Sequence, residues 1–175
     1  MKALIVNDLQ NDFHPSGMAA IEKSDQLVPV INNLMEGYEL NIATQFFYPA
    51  NHIIFAGNHI WRKPNQIIQI NDQEIQLTEM HCVANSFGAE LMVGLNQKKI
   101  HQKYQKGTQK DIPAHCAFFD VDKVSNGLKE FLKKMKVTEI HFSGINYNEN
   151  LSFSIQIAKE FGFHVNIISE ACLGL

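Results

Sequence analysis

The sequence predicts a three-layer α/β/α fold with a doubly wound, mainly parallel sheet, formed by a single domain over residues 1–175. Three observations predict it. Ala3-Leu4-Ile5-Val6 is apolar on consecutive residues, the pattern of a strand covered on both faces. Strand-like runs alternate with amphipathic helical runs, the spacing of parallel strands joined by right-handed crossovers. The polar residues with chemical potential fall just after those strands, at the edge of the sheet where α/β folds bind ligands.

The first strand leads into Asn7-Asp8-Leu9-Gln10-Asn11-Asp12-Phe13. Asp8 there is placed either for catalysis or as a loop cap. Residues 25–36 carry Leu27, Val30, Ile31 and Leu34 at three- and four-residue spacing, which makes an amphipathic helix. Ser24 or Asp25 is expected to cap it, Pro29 fits its first turn and Gly37 ends it. A second strand is expected over residues 39–44, then an aromatic cluster, Phe46-Phe47-Tyr48, ahead of His52. Residues 66–78 alternate with a period of two around the turn Asn71-Asp72-Gln73, which reads as a hairpin flap. A short helix is expected near residues 88–91, and a third strand over 100–104 leading to Lys106-Gly107. A helix over 123–135 has Val124, Leu128, Phe131 and Leu132 on one face. A strand over 138–143, a helix over 149–161 stopped by Gly162, and a last strand over 163–168 complete the set.

Composition excludes several classes of function. The chain is 45% hydrophobic and 19% charged, ordinary for a soluble globular domain able to bury a sizeable core. Its net charge is −3, and its densest basic stretch, Lys133-Lys134-Met135-Lys136, falls at a helix end where cations complement the dipole. No nucleic-acid partner is expected. No apolar stretch approaches a membrane span, and the start of the chain does not read as a secretory signal. Cys82, Cys116 and Cys172 are widely spaced and form no CxxC pair, so neither a disulfide framework nor a thiolate zinc site is indicated. A reducing cytoplasm is the expected compartment.

The chemistry centres on residues 141–154, a strand end, a polar turn and a helix start. Such a junction offers the free amides of a helix N-terminus to an anionic centre. Asp8 after the first strand and Lys106 after the third fall at the same edge. A carboxylate, an ammonium group and a residue at a helix N-terminus suit covalent catalysis, in which the carboxylate deprotonates a nucleophile and the cation stabilises its anion. Cysteine is the usual nucleophile in such a place, because the helix N-terminus favours the thiolate. Here the residue is Asn150.

A set of local motifs runs along the whole chain. It begins with Lys2-Ala3-Leu4-Ile5-Val6 and Asp8-Leu9-Gln10-Asn11-Asp12-Phe13, Val28-Pro29-Val30-Ile31-Asn32, and Ala43-Thr44-Gln45. Pro49-Ala50-Asn51-His52, His81-Cys82-Val83 and Gly88-Ala89-Glu90-Leu91 continue it. Lys106-Gly107, Ala117-Phe118-Phe119-Asp120, Gly144, Gly162-Phe163-His164-Val165 and Ala171-Cys172 follow. Each is weak alone; in this order and at this spacing the set is specific, and it resembles that of the isochorismatase-like cysteine hydrolases, with their Rossmann-like fold, and within them the bacterial nicotinamidases.

The resemblance implies hydrolysis of nicotinamide by an Asp, a Lys and a Cys beside a divalent metal. The Asp falls on Asp8 and the Lys on Lys106, but the Cys falls on Asn150, whose amide cannot form a thioester. Two metal-ligand positions become Phe46 and Tyr48; two remain histidine, His52 and His81. Two imidazoles alone make a poor divalent site, so no cofactor is expected, and Zn, Mn or Fe only if the reduced site still binds. The tryptophan of the aromatic wall is Thr78, while Phe13 is kept. Asn146 takes the small position of the oxyanion turn, and Asn148 an acidic one.

These changes are separate in sequence yet converge on one pocket, so the resemblance implies a nicotinamidase-like fold that has lost catalysis and binds a small planar molecule or a partner through Phe13, Phe46, Tyr48 and Asn146. Asp8 is expected to pair with Lys106, and Phe46, Phe47 and Tyr48 to plug the former metal site or to form a stacking platform. The alternative is a divergent hydrolase of an amide or ester that uses Cys116, expected near the pocket rim, or water activated by Asp8. Relatives commonly self-associate, which makes a homo-oligomer an expectation as well.

Overall fold

The computed structural model describes residues 1–70 and 73–174. Asn71 and Asp72 of the expected hairpin turn, Leu175 and the side chain of Asn148 lie outside the described residues. In chain order the elements are β1 (Lys2–Asn7), α1 (Leu27–Met35), β2 (Leu40–Phe46), β3 (Ile67–Ile70), β4 (Gln73–Gln76) and β5 (Gln102–Lys106). They continue with β6 (Phe119–Val121), β7 (Val124–Ser125), α2 (Leu128–Lys134), β8 (Glu139–Ile145), α3 (Asn150–Glu160) and β9 (His164–Leu173). Among these, β5, β2, β1, β8 and β9 form a five-stranded sheet in that order, with every pair parallel.

β1 is central, as its apolar run requires. Side chains alternate across a strand, so Leu4 and Val6 join one core while Ala3 and Ile5 join the other. The first core contains Leu27, Ile31 and Met35 of α1; the second contains Leu128 and Leu132 of α2 with Leu151, Ile155 and Ala158 of α3. Helices therefore cover both faces. The chain builds outward from β1 to β5 on one side, then returns to place β8 on the other. The order of strands reverses between β1 and β8, and the carboxyl ends at that crevice are where such folds hold ligands.

β8 approaches β1 closely through Gly144, which has φ +110; a Cβ there would collide with the Asn7 carbonyl oxygen. The hairpin expected over residues 66–78 is present as antiparallel β3 and β4. No helix of the described residues is long and apolar enough to cross a membrane.

Several boundaries differ from the sequence reading. The helix expected over 123–135 begins only at Leu128, because Val124 and Ser125 pair with β6 instead. Local turn chemistry overrides helical periodicity there: the Gly127 N–H donates to Ser125 Oγ, the Leu128 N–H donates to Asn126 Oδ1, and Gly127 has φ +93. Ser24 does not cap α1 but donates its hydroxyl to the Phe13 carbonyl, and neither it nor Asp25 makes a capping bond. The short helix near 88–91 is one 3-10 turn, Phe87–Ala89. β8 and β9 extend past their expected ends to Ile145 and Leu173.

Candidate active site

Three element termini meet at the crevice. Asp8 follows β1 directly, with φ +51, and its N–H donates to the Thr44 carbonyl at 3.2 Å. Lys106 is the last residue of β5, and Asn150 the first of α3. Asp8 and Lys106 are both fully buried, with Lys106 Nζ 2.7 Å from Asp8 Oδ2. The ammonium group also lies 4.2 Å from the centre of the Phe46 ring, where the π face adds to its stabilisation. The expected pairing of Asp8 with Lys106 is present.

The carboxylate is saturated with donors. Oδ2 accepts from Lys106 Nζ at 2.7 Å, from Asn7 Nδ2 at 3.1 Å and from Asn150 Nδ2 in a short contact. Oδ1 accepts from Thr44 Oγ1 at 2.8 Å. Asn7 is itself fixed, donating to the Ile145 carbonyl at 2.8 Å. The bond to Asp8 also fixes how the Asn150 amide is turned. Nδ2 faces the carboxylate, because the opposite orientation would set two acceptors against each other. The other branch, Oδ1, is buried without a hydrogen-bond partner among the described residues. The amide nitrogen lone pair of Asn150 is delocalised and is not nucleophilic. The cluster holds a fixed geometry, and the side chain at 150 is an amide rather than a thiol.

The start of α3 also departs from expectation. The Asn150 N–H donates to the Tyr147 carbonyl, and the Leu151 and Ser152 N–H groups donate to Asn146 Oδ1 at 2.9 and 3.1 Å. The amides expected to face an anionic centre are thus consumed by a side-chain cap. Asn146 correspondingly does not face the pocket: its Nδ2 donates to Ser152 Oγ and to the Gly174 carbonyl. Its own N–H donates to the Leu173 carbonyl.

Aromatic rings fill the space beside this cluster. Phe46 and Tyr48 stack with centroids 5.1 Å apart and planes at 19°. The Tyr48 ring fits because Gly107, with φ +76, leaves no Cβ in its way. Tyr48 lies 4.5 Å from the His52 ring and 5.5 Å from the His81 ring. Phe13 is buried behind the wall, 4.8 Å from Tyr147 and 5.7 Å from His81. The Tyr48 phenol is raised well above its ordinary value, first by burial, and stays neutral.

The metal implied by the resemblance does not fit these residues. His52 Nδ1 accepts the Ile54 N–H and Nε2 reaches the Ile112 carbonyl, both at 3.2 Å, so both ring nitrogens are occupied. Burial lowers its imidazole to about 4. His81 Nδ1 is 2.9 Å from the Glu79 carbonyl, while Nε2 has no partner among the described residues and sits amid aromatic rings. Burial likewise lowers His81. No group of three or more His, Cys, Asp or Glu among the described residues is arranged to hold a metal ion. Phe46 and Tyr48 supply rings where ligands would be needed.

Above Asn150 lies a cavity of about 600 Å³. Phe46, Tyr48, Thr78 and Tyr147 contribute to its wall, and the β3–β4 hairpin closes one side with Glu74 and Ile75. Residues 112–115 and Asp122 complete it. A larger groove of about 870 Å³ runs beside β5, but Asp8, Lys106 and Asn150 do not line it, so the smaller cavity is the one tied to the cluster.

Cys116, expected at the rim, is buried in the second core with Ala117 and Phe118. Burial raises its thiol, which opposes thiolate formation. The sequence reading missed Asn7, Thr44 and Tyr147. Thr44 lay within a quoted motif, and its position at the end of β2 was the available signal.

No protein-family model matches the chain. A nicotinamidase from Acinetobacter baylyi is 33% identical over 171 residues, which cover 97% of this chain and 80% of that protein. The chain belongs to the nicotinamidase family. Solved structures agree with this placement. An Acinetobacter nicotinamidase–pyrazinamidase superposes with a TM-score of 0.91 at 31% identity, covering 99% of this chain and 84% of that one. An isochorismatase-like hydrolase from Alkaliphilus metalliredigens, at 15% identity, shares the fold with a TM-score of 0.72 over 98% of this chain and 81% of that one.

Proposed function

We propose that this nicotinamidase-family chain binds a small molecule in its altered pocket and does not hydrolyse amides. One observation carries the reading: Asn150 stands at the nucleophile position with its Nδ2 donated to Asp8. The Asp8–Lys106 pair that would activate a thiol instead forms a closed, buried cluster with an unreactive amide. The aromatic wall and the two histidines packed into it support the same reading, since among the described residues they form no set of ligands for a metal to orient a substrate.

A relocated cysteine nucleophile has no support, because Cys116 lies in the opposite core. Water activated by Asp8 is disfavoured by the donors already on both carboxylate oxygens. The test is release of ammonia and nicotinate from nicotinamide by purified protein, with zinc, manganese or iron added in turn. The expected result is no turnover above the blank. Turnover that disappears on Asp8→Ala overturns the proposal.

A further inference from the structure

We infer that the cavity above Asn150 selects a flat aromatic cation bearing an N–H donor and discriminates against the matching carboxylate. This deepens the proposed function and rests on its premise that the pocket holds a ligand rather than hydrolysing one.

The first support is the orphaned acceptor. Asn150 is 2% exposed and lines the cavity, and its Oδ1 has no hydrogen-bond partner among the described residues. Leaving a buried amide oxygen unpaired is unfavourable. A ligand N–H satisfies it; a carboxylate oxygen is repelled by it. The second is the sign of charge. Glu74 on β4 and Asp122 after β6 are the acidic residues of the lining, and no Lys or Arg lines it among the described residues. Lys106 does not line the cavity and is paired with Asp8, so the carboxylates of the lining set the sign of charge at its rim. His115 also lines the cavity. Burial lowers its imidazole, with Lys106 acting in the same direction and Asp122 in the other. The third is the wall. Phe46, Tyr48 and Tyr147 line the cavity; Phe46 and Tyr48 are stacked on each other and buried, so Tyr147, half-buried, is the ring best placed for stacking and cation–π attraction.

Benzamidine, benzamide and benzoate share one ring and differ in charge and donors, so they serve as probes. Isothermal titration of each into the intact protein should give benzamidine about tenfold tighter than benzoate, with benzamide between them. The gap between benzamidine and benzoate should narrow as salt rises, because the rim carboxylates are exposed. The double variant E74Q/D122N alters exposed side chains only and should fold normally. It should bring benzamidine to within about twofold of benzamide while leaving benzamide unchanged. Benzoate binding as tightly as benzamidine, an unchanged benzamidine affinity in the double variant, or no binding of any probe at millimolar concentration each overturns the inference. Ammonia release from benzamide would instead count against the proposed function, and the charge ranking would still be read from competition among the probes.

Discussion

Replacing Lys106 by methionine tests the buried cluster directly. Methionine keeps much of the apolar stem and removes the charge. At the observed 2.7 Å, with an effective dielectric near 20, the attraction between Lys106 and Asp8 is about 6 kcal/mol. Part of that is offset by the desolvation of the ammonium group, which the variant no longer suffers. The carboxylate also keeps its bonds from Asn7, Thr44 and Asn150. The expected net loss for a broken buried pair is therefore about 3–5 kcal/mol. For a domain of this size each kcal/mol lowers Tm by roughly 2–4 °C, so the midpoint should fall by about 6–20 °C. Urea denaturation of Lys106→Met, Asp8→Asn and the double variant completes the cycle. The double variant should be more stable than the sum of the single losses implies, by at least about 2 kcal/mol, because it leaves neither charge stranded. A loss below about 1 kcal/mol for Lys106→Met, or strict additivity in the cycle, would refute a closed ion pair at this site.

Three further outcomes are expected. Asn150→Cys should yield no nicotinamide turnover with or without added zinc, since Phe46 and Tyr48 set rings rather than ligand atoms against His52 and His81; steady release of nicotinate would contradict this. A thiol reagent at neutral pH should leave Cys82 and Cys116 unmodified in the folded chain and label both in urea, because each is buried and its thiol is raised; mass spectrometry of digested protein reads the sites. Stability should fall as pH drops from 6.5 to about 4 in part through His52, whose imidazole takes up a proton in the unfolded chain near 6.5 but in the folded chain only near 4. The contribution is present above 6.5, is lost as pH falls through that window, and is on the order of 3 kcal/mol at most. His52→Phe should flatten the profile there, and an unchanged slope would remove His52 as a cause.

Much of the fold was legible because its periodicities are local. β1 reads as a central strand from four consecutive apolar residues, and α1 from a repeated three- and four-residue spacing. The α2 start was misread because Ser125, Asn126 and Gly127 make turn bonds that compete with a helical pattern. Asn146 was assigned to the pocket by its place in a motif, yet its side chain turns back to cap α3, a choice made by hydrogen bonds rather than by spacing. Cys116 was placed at the rim by chain position, while packing put it into the opposite core.

Sequence alone determined which chemical groups are present at the site: a carboxylate at 8, an ammonium group at 106, an amide at 150 and rings at 46 and 48. Those identities hold whatever the packing, and they put an amide rather than a thiol at 150. Only the tertiary structure decided what the groups do to one another. Asp8 collects donors from β1, β2, β5 and α3, and the cavity takes Glu74 from the β3–β4 hairpin and Asp122 from just after β6. No local pattern encodes these meetings, because hydrogen-bond saturation and the sign of a pocket's charge depend on segments far apart in the chain. They become definite only when the sheet order brings the strand ends together.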